Sequence, residues 1–210
     1  MHNLIFDLDG CLIDSSEVQK LAFFGAYKEV VGDNRCPTYD EYMKYTGDSV
    51  DNVMAKLHLP PSMATVFRKI SSHFVDRIKV NWDAVNWIRE LKSKCYKIAI
   101  CTGKDHYRTV EILNYFNIAN CFDALVCADD VKEPKPSPEP VLQALRQLGC
   151  FADEAIVIGD GYNDILSARR AGVKSVLALW YGDIGIPIEA DYTANTVSEL
   201  KKIIQGETPY

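Results

Sequence analysis

Three aspartates follow a short apolar run near the start of the chain, in the segment LIFDLDGCLID (residues 4–14). Asp7 and Asp9 come directly after the apolar residues, and Asp14 follows within one turn of chain. Carboxylates that converge without a compensating positive charge repel one another and shift their pKa values strongly. A hard divalent cation such as Mg²⁺, bound by a few carboxylates, water and a substrate phosphate, provides that compensation. The segment therefore predicts a site for a metal ion and a phosphate group.

Further polar residues stand at or near the ends of other apolar runs. Thr102 ends the run KIAICT, Asp160 ends AIVIGD with Asp164 one helical turn later, and Lys135 lies in EPKPSPEP. In an open parallel sheet, ligands bind beyond the carboxyl ends of the strands, near the point where the strand order reverses. If the first strand is central, we expect these side chains to meet the first two aspartates in one crevice.

The elements that would position these residues can be predicted from hydrophobic patterning. Five short runs are almost continuously apolar, which is typical of strands buried on both faces of a parallel sheet; they span residues 3–8, 97–102, 123–128, 155–160 and 174–179. Helical patterns separate the later runs, at residues 105–117 (with Asp105 as N-cap), 138–148 and 163–171. Strands that alternate with helices predict an α/β fold with a Rossmann-like, doubly wound parallel sheet.

The segment between the first and second strands differs from the rest. Residues 15–81 contain no convincing strand, and they are too many for a simple crossover. Their pattern instead predicts amphipathic helices at 16–31 and 63–78, and a glycine-containing turn that leads into a helix within 44–57. We therefore predict two units, a small all-helical cap at 15–81 inserted into a catalytic core formed by 1–14 and 82–210.

Composition excludes several classes of protein. The 210 residues carry a formal net charge of −6 with scattered basic residues, which argues against a nucleic-acid partner. The longest apolar runs are too short to cross a bilayer, so no membrane partner is expected. The N-terminus lacks the basic region of a signal peptide, and seven cysteines without a CxxC pair indicate reduced thiols. We expect a cytoplasmic protein, and the sequence leaves open whether it is a monomer or a homodimer.

Four motifs together indicate a family. The segments DLDGCLID, ICTGKD, KPSPEP and VIGDGYND resemble, in order and spacing, the four signature motifs of the haloacid dehalogenase-like phosphatases. The resemblance covers essentially the whole chain and is greatest to the phosphoglycolate phosphatase and β-phosphoglucomutase branch, whose helical cap lies between the first two motifs. Cys11 departs from the pattern, because Thr or Val is commoner at that position.

The resemblance implies a role for each aspartate. Asp7 would be the nucleophile that attacks phosphorus and forms an aspartyl phosphate. Asp9 would protonate the leaving alkoxide and then activate the water that hydrolyses the intermediate. Asp7, the backbone carbonyl of Asp9 and Asp160 would hold Mg²⁺, and Asp164 would support these ligands without binding the ion itself.

The resemblance also implies a phosphate-binding set. Thr102 would hydrogen-bond a phosphoryl oxygen, with Gly103 beside it. Lys135 would neutralise charge on the phosphoryl group and orient Asp7. Gly10 would let the backbone turn closely around the phosphate.

Two groups of residues remain open at this stage. In the cap, Thr46, Asp48 and Ser49 belong to the sequence TGDS, which an ordinary helix N-terminus explains about as well as a substrate-binding loop. The histidines at 58, 73 and 106 have no metal-ligand spacing, and we interpret them as surface or packing residues.

We therefore expect a Mg²⁺-dependent phosphatase that hydrolyses a phosphomonoester of a small metabolite. A sugar phosphate, phosphoglycolate and a biosynthetic intermediate are all compatible substrates, because the motifs contact only the phosphate. A sugar-phosphate mutase is the main enzymatic alternative. A phosphate-binding module without turnover is a weaker one, because binding alone would not require Asp9.

Overall fold

The computed structural model describes residues 3–32, 35–45, 47–182 and 189–206. It contains the following strands: β1 (Asn3–Phe6), β2 (Ile13–Asp14), β3 (Lys79–Val80), β4 (Lys97–Cys101), β5 (Ala124–Val126), β6 (Ala155–Gly159), β7 (Lys174–Ala178) and β8 (Tyr192–Ala194). The α-helices are α1 (Ser16–Val30), α2 (Tyr39–Met43), α3 (Val50–Lys56), α4 (Ser62–His73), α5 (Trp82–Ser93), α6 (His106–Tyr115), α7 (Glu139–Leu148), α8 (Tyr162–Arg170) and α9 (Val197–Gln205).

Six strands form one parallel sheet in the order β5-β4-β1-β6-β7-β8. Strand β1 is central, and its Phe6 is in register with Ile100 on one side and Ile158 on the other. The side chains of Leu4, Ile5 and Phe6 are fully buried because helices cover both faces of the sheet. The α/β fold with a doubly wound sheet is as the sequence predicts, and the strand order reverses beside β1.

Helices alternate with the strands after β4, as predicted. The predicted N-cap of α6 is present, because the Asp105 carboxylate accepts a hydrogen bond from the backbone N–H of Arg108 at 3.0 Å. Helix α7 ends at Gly149, which adopts the left-handed conformation with φ of 65° that favours glycine. The N-cap of α6 fixes where the loop after β4 ends at the carboxyl edge of the sheet, and the end of α7 begins the return to β6 at the opposite edge.

The expectation that residues 15–81 contain no strand is wrong at one position. The short strand β3 pairs antiparallel with β2, and Ile13 lies opposite Val80. A two-residue strand has no periodicity that a sequence could reveal, and its partner is more than sixty residues away. This ribbon joins the two ends of the helical segment where the chain leaves the sheet and returns to it.

Helices α1 to α4 surround a hydrophobic cluster that is separate from the clusters on the sheet. Helix α4 packs along α1, and the ring of Tyr42 from α2 lies 4.7 Å from Phe23 and 6.3 Å from Phe67. Helix α2 was not predicted; it begins at Thr38, which forms a capping box with Glu41. The separate cluster supports the predicted division into core and cap, whose boundaries at residues 14 and 82 remain a prediction.

Two further expectations can be compared with the fold. All seven cysteines lie within the described residues, and each is a free thiol. Among the described residues, no helix combines the length and apolar character needed to span a membrane.

We predict that Phe67→Ala lowers the free energy of unfolding by about 3–5 kcal/mol, because it leaves a cavity in the buried cluster of the cap. Phe151→Ala is the matched control, because Phe151 is 78% exposed, and its effect should stay within about 0.5 kcal/mol. Urea denaturation of both variants measures the difference. Equal effects would show that the cap cluster contributes little to stability.

Candidate active site

The first two aspartates lie in the loop that follows the central strand. The backbone N–H of Asp7 donates to the carbonyl of Ile158 at 2.8 Å, which extends the pairing of β1 with β6 by one residue and fixes Asp7 at the sheet edge. Gly10 then turns the chain with φ of 73°. A Cβ at Gly10 would lie 1.8 Å from Oδ2 of Asp160, so only glycine allows that carboxylate to approach.

Lys135 is buried at the centre of the acidic cluster. Its Nζ donates to Oδ1 of Asp7 at 2.8 Å, to the carbonyl oxygen of Cys101 at 3.0 Å and to Oδ1 of Asp164. These three acceptors match the three N–H donors of an ammonium group. Burial acts to lower the pKa of Lys135, but the charges of Asp164 and Asp7 outweigh it and hold the pKa above its ordinary value. The lysine is therefore a fixed positive charge.

Three carboxylates surround this single cation. Asp7, Asp160 and Asp164 each offer an oxygen within 4.8 Å of the others. Burial raises the pKa of Asp7 from 3.8 to about 7, against the opposing charge of Lys135. Burial, followed by the charges of Asp164 and Asp7, raises the pKa of Asp160 well above its ordinary value. The cluster thus has an excess of negative charge and an all-oxygen donor set, which fits Mg²⁺.

Asp9 has a cation of its own. Its Oδ2 lies 3.0 Å from Nζ of Lys104, and its Oδ1 accepts a hydrogen bond from the hydroxyl of Ser15. Burial acts to raise the pKa of Asp9, but Lys104 and Ser15 together hold the pKa below its usual range. The two aspartates of the first motif therefore lie in opposite electrostatic environments, which is typical of groups with different catalytic tasks.

The second motif brings the cap against the core. Thr102 is buried, and its hydroxyl oxygen accepts a hydrogen bond from the backbone N–H of Lys104 at 3.2 Å. A Cβ at Gly103 would lie 2.3 Å from the carbonyl oxygen of Gly47 in the cap. Glycine at position 103 thus permits the close approach of cap and core beside the candidate phosphate site.

The cap residues that the sequence left open have separate positions. Ser49 is the N-cap of α3 and accepts from the backbone N–H of Asn52 at 3.3 Å. Asp48 forms an ion pair with Lys56 at 2.5 Å and accepts a hydrogen bond from Asn163 of the core at 3.3 Å. Ser49 thus has the helix-capping role, Asp48 joins cap to core, and Thr46 lies outside the described residues.

Several residues at the site were not identified from the sequence. Lys104 and Ser15 contact Asp9, and Asn163 contacts the cap.

Arg108 is buried on α6, and its guanidinium pairs with the carboxylate of Asp105 at 2.6 Å. Arg68 of the cap pairs with the same carboxylate at 3.2 Å. The sequence does contain a signal for Lys104, because this residue lies two positions after Thr102 in the second motif. The cap contacts carry no sequence signal, because they depend on how the cap lies on the core.

Fold and site together define a class of protein. A model of the haloacid dehalogenase-like hydrolase family matches residues 4–178, so the chain belongs to this family of enzymes, as its motifs predict. The chain is 34% identical to a phosphoglycolate phosphatase of Aquifex aeolicus, covering 98% of both chains. It is 30% identical to the pyrophosphatase PpaX of Bacillus velezensis, covering 95% of this chain and 94% of that protein.

A solved structure is similar over nearly the whole fold. CbbY of Rhodobacter sphaeroides, crystallised in complex with phosphate, superposes with a TM-score of 0.84 at 21% sequence identity. The alignment covers 95% of this chain and 96% of CbbY. This similarity extends to the α/β core and the inserted helices.

The raised pKa of Asp7 predicts a pH dependence of stability in metal-free protein. The folded state binds this proton with a pKa of about 7 and the unfolded chain with a pKa near 3.8. Folding therefore takes up a proton between these values, and stability falls as the pH rises through this window. The titration of Asp7 should lower the free energy of unfolding by on the order of 1–2 kcal/mol between pH 5.5 and pH 7.

Urea denaturation in EDTA at the two pH values measures this slope. Asp7→Asn should reduce the loss of stability between pH 5.5 and 7 relative to the unsubstituted protein. An unchanged slope in Asp7→Asn would contradict the assignment of the titration to Asp7.

Proposed function

We propose that the protein is a Mg²⁺-dependent phosphatase that hydrolyses a phosphomonoester of a small metabolite through an aspartyl phosphate on Asp7. The observation that carries this proposal is the pairing of Asp7 with the buried Lys135 at 2.8 Å, two residues from Asp9 with its own cation. One carboxylate is thus held in a fixed direction for attack, and the other is held beside it in a distinct environment.

In the first half-reaction, an oxygen of Asp7 attacks phosphorus as the bond from phosphorus to the leaving oxygen breaks. This step requires protonated Asp9, so binding of the anionic substrate must raise the pKa of Asp9 from the low value that Lys104 and Ser15 set in the substrate-free protein. Asp9 then gives its proton to the leaving alkoxide, and an aspartyl phosphate remains on Asp7. In the second half-reaction, Asp9 takes a proton from water, which attacks phosphorus and releases inorganic phosphate. Lys135 holds Asp7 in position and neutralises charge on the phosphoryl group throughout.

The remaining residues bind the phosphoryl group. Thr102 donates its hydroxyl hydrogen to a phosphoryl oxygen, and Gly103 lets the cap backbone at Gly47 approach beside the phosphate. Gly10 lets the backbone turn closely around the phosphate, and its own N–H stabilises the turn by donating to the carbonyl of Ile13 at 2.9 Å. These groups act by positioning and charge stabilisation, which supply most of the catalysis in phosphoryl transfer.

The metal ion would be held by side chains of Asp7 and Asp160 and by the backbone carbonyl of Asp9. Asp164 is less available, because its two oxygens already accept from Lys135 and from the backbone N–H of Gly161 at 3.0 Å. It therefore orients its neighbours instead of binding the ion. When bound, Mg²⁺ would neutralise the clustered carboxylates and the charge on the phosphoryl group.

The relatives narrow the choice of substrate. The Aquifex aeolicus relative is named a phosphoglycolate phosphatase, so phosphoglycolate is the first compound to test. The Bacillus velezensis relative is named a pyrophosphatase, so pyrophosphate is the second compound to test. Both compounds carry a second anionic group. The buried cations Lys104 and Arg108, which pair with Asp9 and Asp105 in this structure, lie on the core side of the cap and are the candidates to bind that group. A sugar-phosphate mutase remains the alternative with the same motifs.

A panel of phosphate compounds tests the proposal. Phosphate release should be measured from phosphoglycolate, hexose 1-phosphates, hexose 6-phosphates and pyrophosphate, with Mg²⁺, with Ca²⁺ and after chelation. We expect turnover with Mg²⁺, little with Ca²⁺, which tolerates looser coordination, and none after chelation. Conversion of hexose 1-phosphate to hexose 6-phosphate would favour the mutase, and full activity after chelation would exclude the metal assignment.

Substitution of Asp9 tests the division of labour between the two aspartates. Asp9→Asn removes the proton donor, which is worth about 10²–10⁴ in rate for an alkyl phosphate. Nitrophenyl phosphate expels a weakly basic phenolate and hardly needs that proton. Asp9→Asn also removes the ion pair with Lys104, and this loss should slow the reaction of both substrates equally. The ratio of the rate loss for the alkyl phosphate to the rate loss for nitrophenyl phosphate therefore measures proton donation alone.

The measurement is single-turnover formation of the phosphoenzyme. Asp9→Asn should slow the alkyl substrate much more than nitrophenyl phosphate, and its phosphoenzyme should persist because the base for hydrolysis is absent. Asp7→Asn is the control and should form no phosphoenzyme. Equal slowing of both substrates, with no accumulated phosphoenzyme, would overturn the acid–base role of Asp9.

A further inference from the structure

A second group of potential metal ligands lies outside the acidic cluster. The part of the chain that the structure describes contains two groups of three such residues, and one of them is His106, Cys127 and Asp130. Each of the three offers a donor atom within 4.8 Å of the others. His106 is the first residue of α6, and the other two lie in the loop that follows β5.

We propose that His106, Cys127 and Asp130 form a zinc site that is separate from the Mg²⁺ site. The donors are an imidazole nitrogen, a thiol sulfur and a carboxylate oxygen, and Zn²⁺ binds all three types. Mg²⁺ prefers oxygen ligands and would not select this set. The side chain of His106 is 48% exposed, so solvent reaches one side of the group.

The distances require little rearrangement. Tetrahedral Zn²⁺ places its ligand atoms about 3.3–3.6 Å apart. Nδ1 of His106 lies 3.1 Å from Oδ1 and 3.0 Å from Oδ2 of Asp130, so this pair would open by a few tenths of an ångström. The sulfur of Cys127 is already within 4.8 Å of the other two atoms and needs to approach them by about 1.5 Å at most.

Neighbouring hydrogen bonds already orient the donors. The backbone N–H of Cys127 donates to Oδ2 of Asp130 at 2.8 Å, which leaves Oδ1 for the metal. The backbone N–H of His106 donates to Oδ1 of Asp129 at 2.8 Å, which fixes the start of α6 against the loop. Such supporting contacts to the ligands are typical of metal sites.

Zinc binding at Cys127 replaces the proton of the thiol. The S–H bond of Cys127 releases its proton to the buffer as the bond from sulfur to zinc forms. Cys127 is fully buried, so the coordinated sulfur is shielded from solvent and oxidants. No electron transfer takes part.

The position of the site gives it a role beside the active site. The backbone N–H of Ala128 donates to the carbonyl of Lys104 at 3.1 Å, so the loop after β5 contacts the loop that carries Thr102. The same loop after β5 continues to Lys135. A metal bound by His106 and Cys127 would therefore join the two loops that supply phosphate contacts, and it would stabilise their arrangement.

Co²⁺ is the probe for the test, because a cobalt–thiolate bond gives a charge-transfer absorption. Metal-free protein is titrated with Co²⁺ in excess Mg²⁺, which occupies the carboxylate site. We expect one equivalent to bind with that absorption, and equimolar Zn²⁺ to remove it. Zn²⁺ should also raise the Tm of the protein.

Variants identify the ligands. Cys127→Ser should abolish the charge-transfer band, and His106→Ala should weaken Co²⁺ binding at least tenfold. Cys121→Ser is the matched buried-cysteine control and should behave as the unsubstituted protein does, as should Asp7→Asn. His106 is exposed, so its substitution does not threaten the fold.

A missing thiolate band in the unsubstituted protein would overturn the proposal, as would a band that persists in Cys127→Ser or undiminished affinity in His106→Ala. Phosphate release with Mg²⁺ is measured separately on the zinc-free unsubstituted protein, and the proposed phosphatase activity predicts turnover there whether or not Co²⁺ or Zn²⁺ binds. Failure of the zinc site is therefore distinguishable from failure of the proposed phosphatase activity.

Discussion

The buried ammonium group of Lys135 is the interaction on which the candidate site depends. It donates to Asp7, Asp164 and the carbonyl of Cys101, and it thereby ties the loop after β1, the first turn of α8 and the end of β4 to the loop after β5. Removing one partner from a buried ion cluster typically costs about 3–5 kcal/mol, because the remaining charges are left without compensation. One ammonium cannot balance three carboxylates. In the metal-free protein the raised pKa values of Asp7 and Asp160 let protons make up the difference, and a divalent cation would take the place of those protons.

The parallel sheet explains why such a cluster can exist. All six strands present their carboxyl ends at the same edge, and the chain order reverses beside β1, so loops from β1, β4 and β6 diverge there and leave a crevice. The cap meets the core beside these loops, where Gly47 approaches Gly103, Asn163 donates to Asp48, and Arg68 pairs with Asp105. The residues proposed to act on phosphate thus lie in the core, and the inserted helices lie against them.

Two donor sets at the same edge of the sheet have different chemistry. The cluster around Asp7 offers only oxygen atoms, whereas the group around His106 offers nitrogen, sulfur and oxygen. Hard cations prefer the first set and borderline cations the second, so the two sites can discriminate between metals by ligand type alone. Their loops touch through the hydrogen bond from Ala128 to the carbonyl of Lys104. Under the two proposals, the first group would have the catalytic position and the second a supporting one.

The sequence by itself determined the five strands that are buried on both faces, the N-cap at Asp105 and the family, because burial and capping leave local patterns of residue type. It did not reveal the edge strand β8, which has three residues and an exposed Thr193, or the ribbon of β2 and β3. Only the tertiary structure paired Lys104 with Asp9 and brought His106 to Asp130, which is 24 residues away. These contacts depend on strand register and loop path, and neither is encoded in the spacing of residues along the chain.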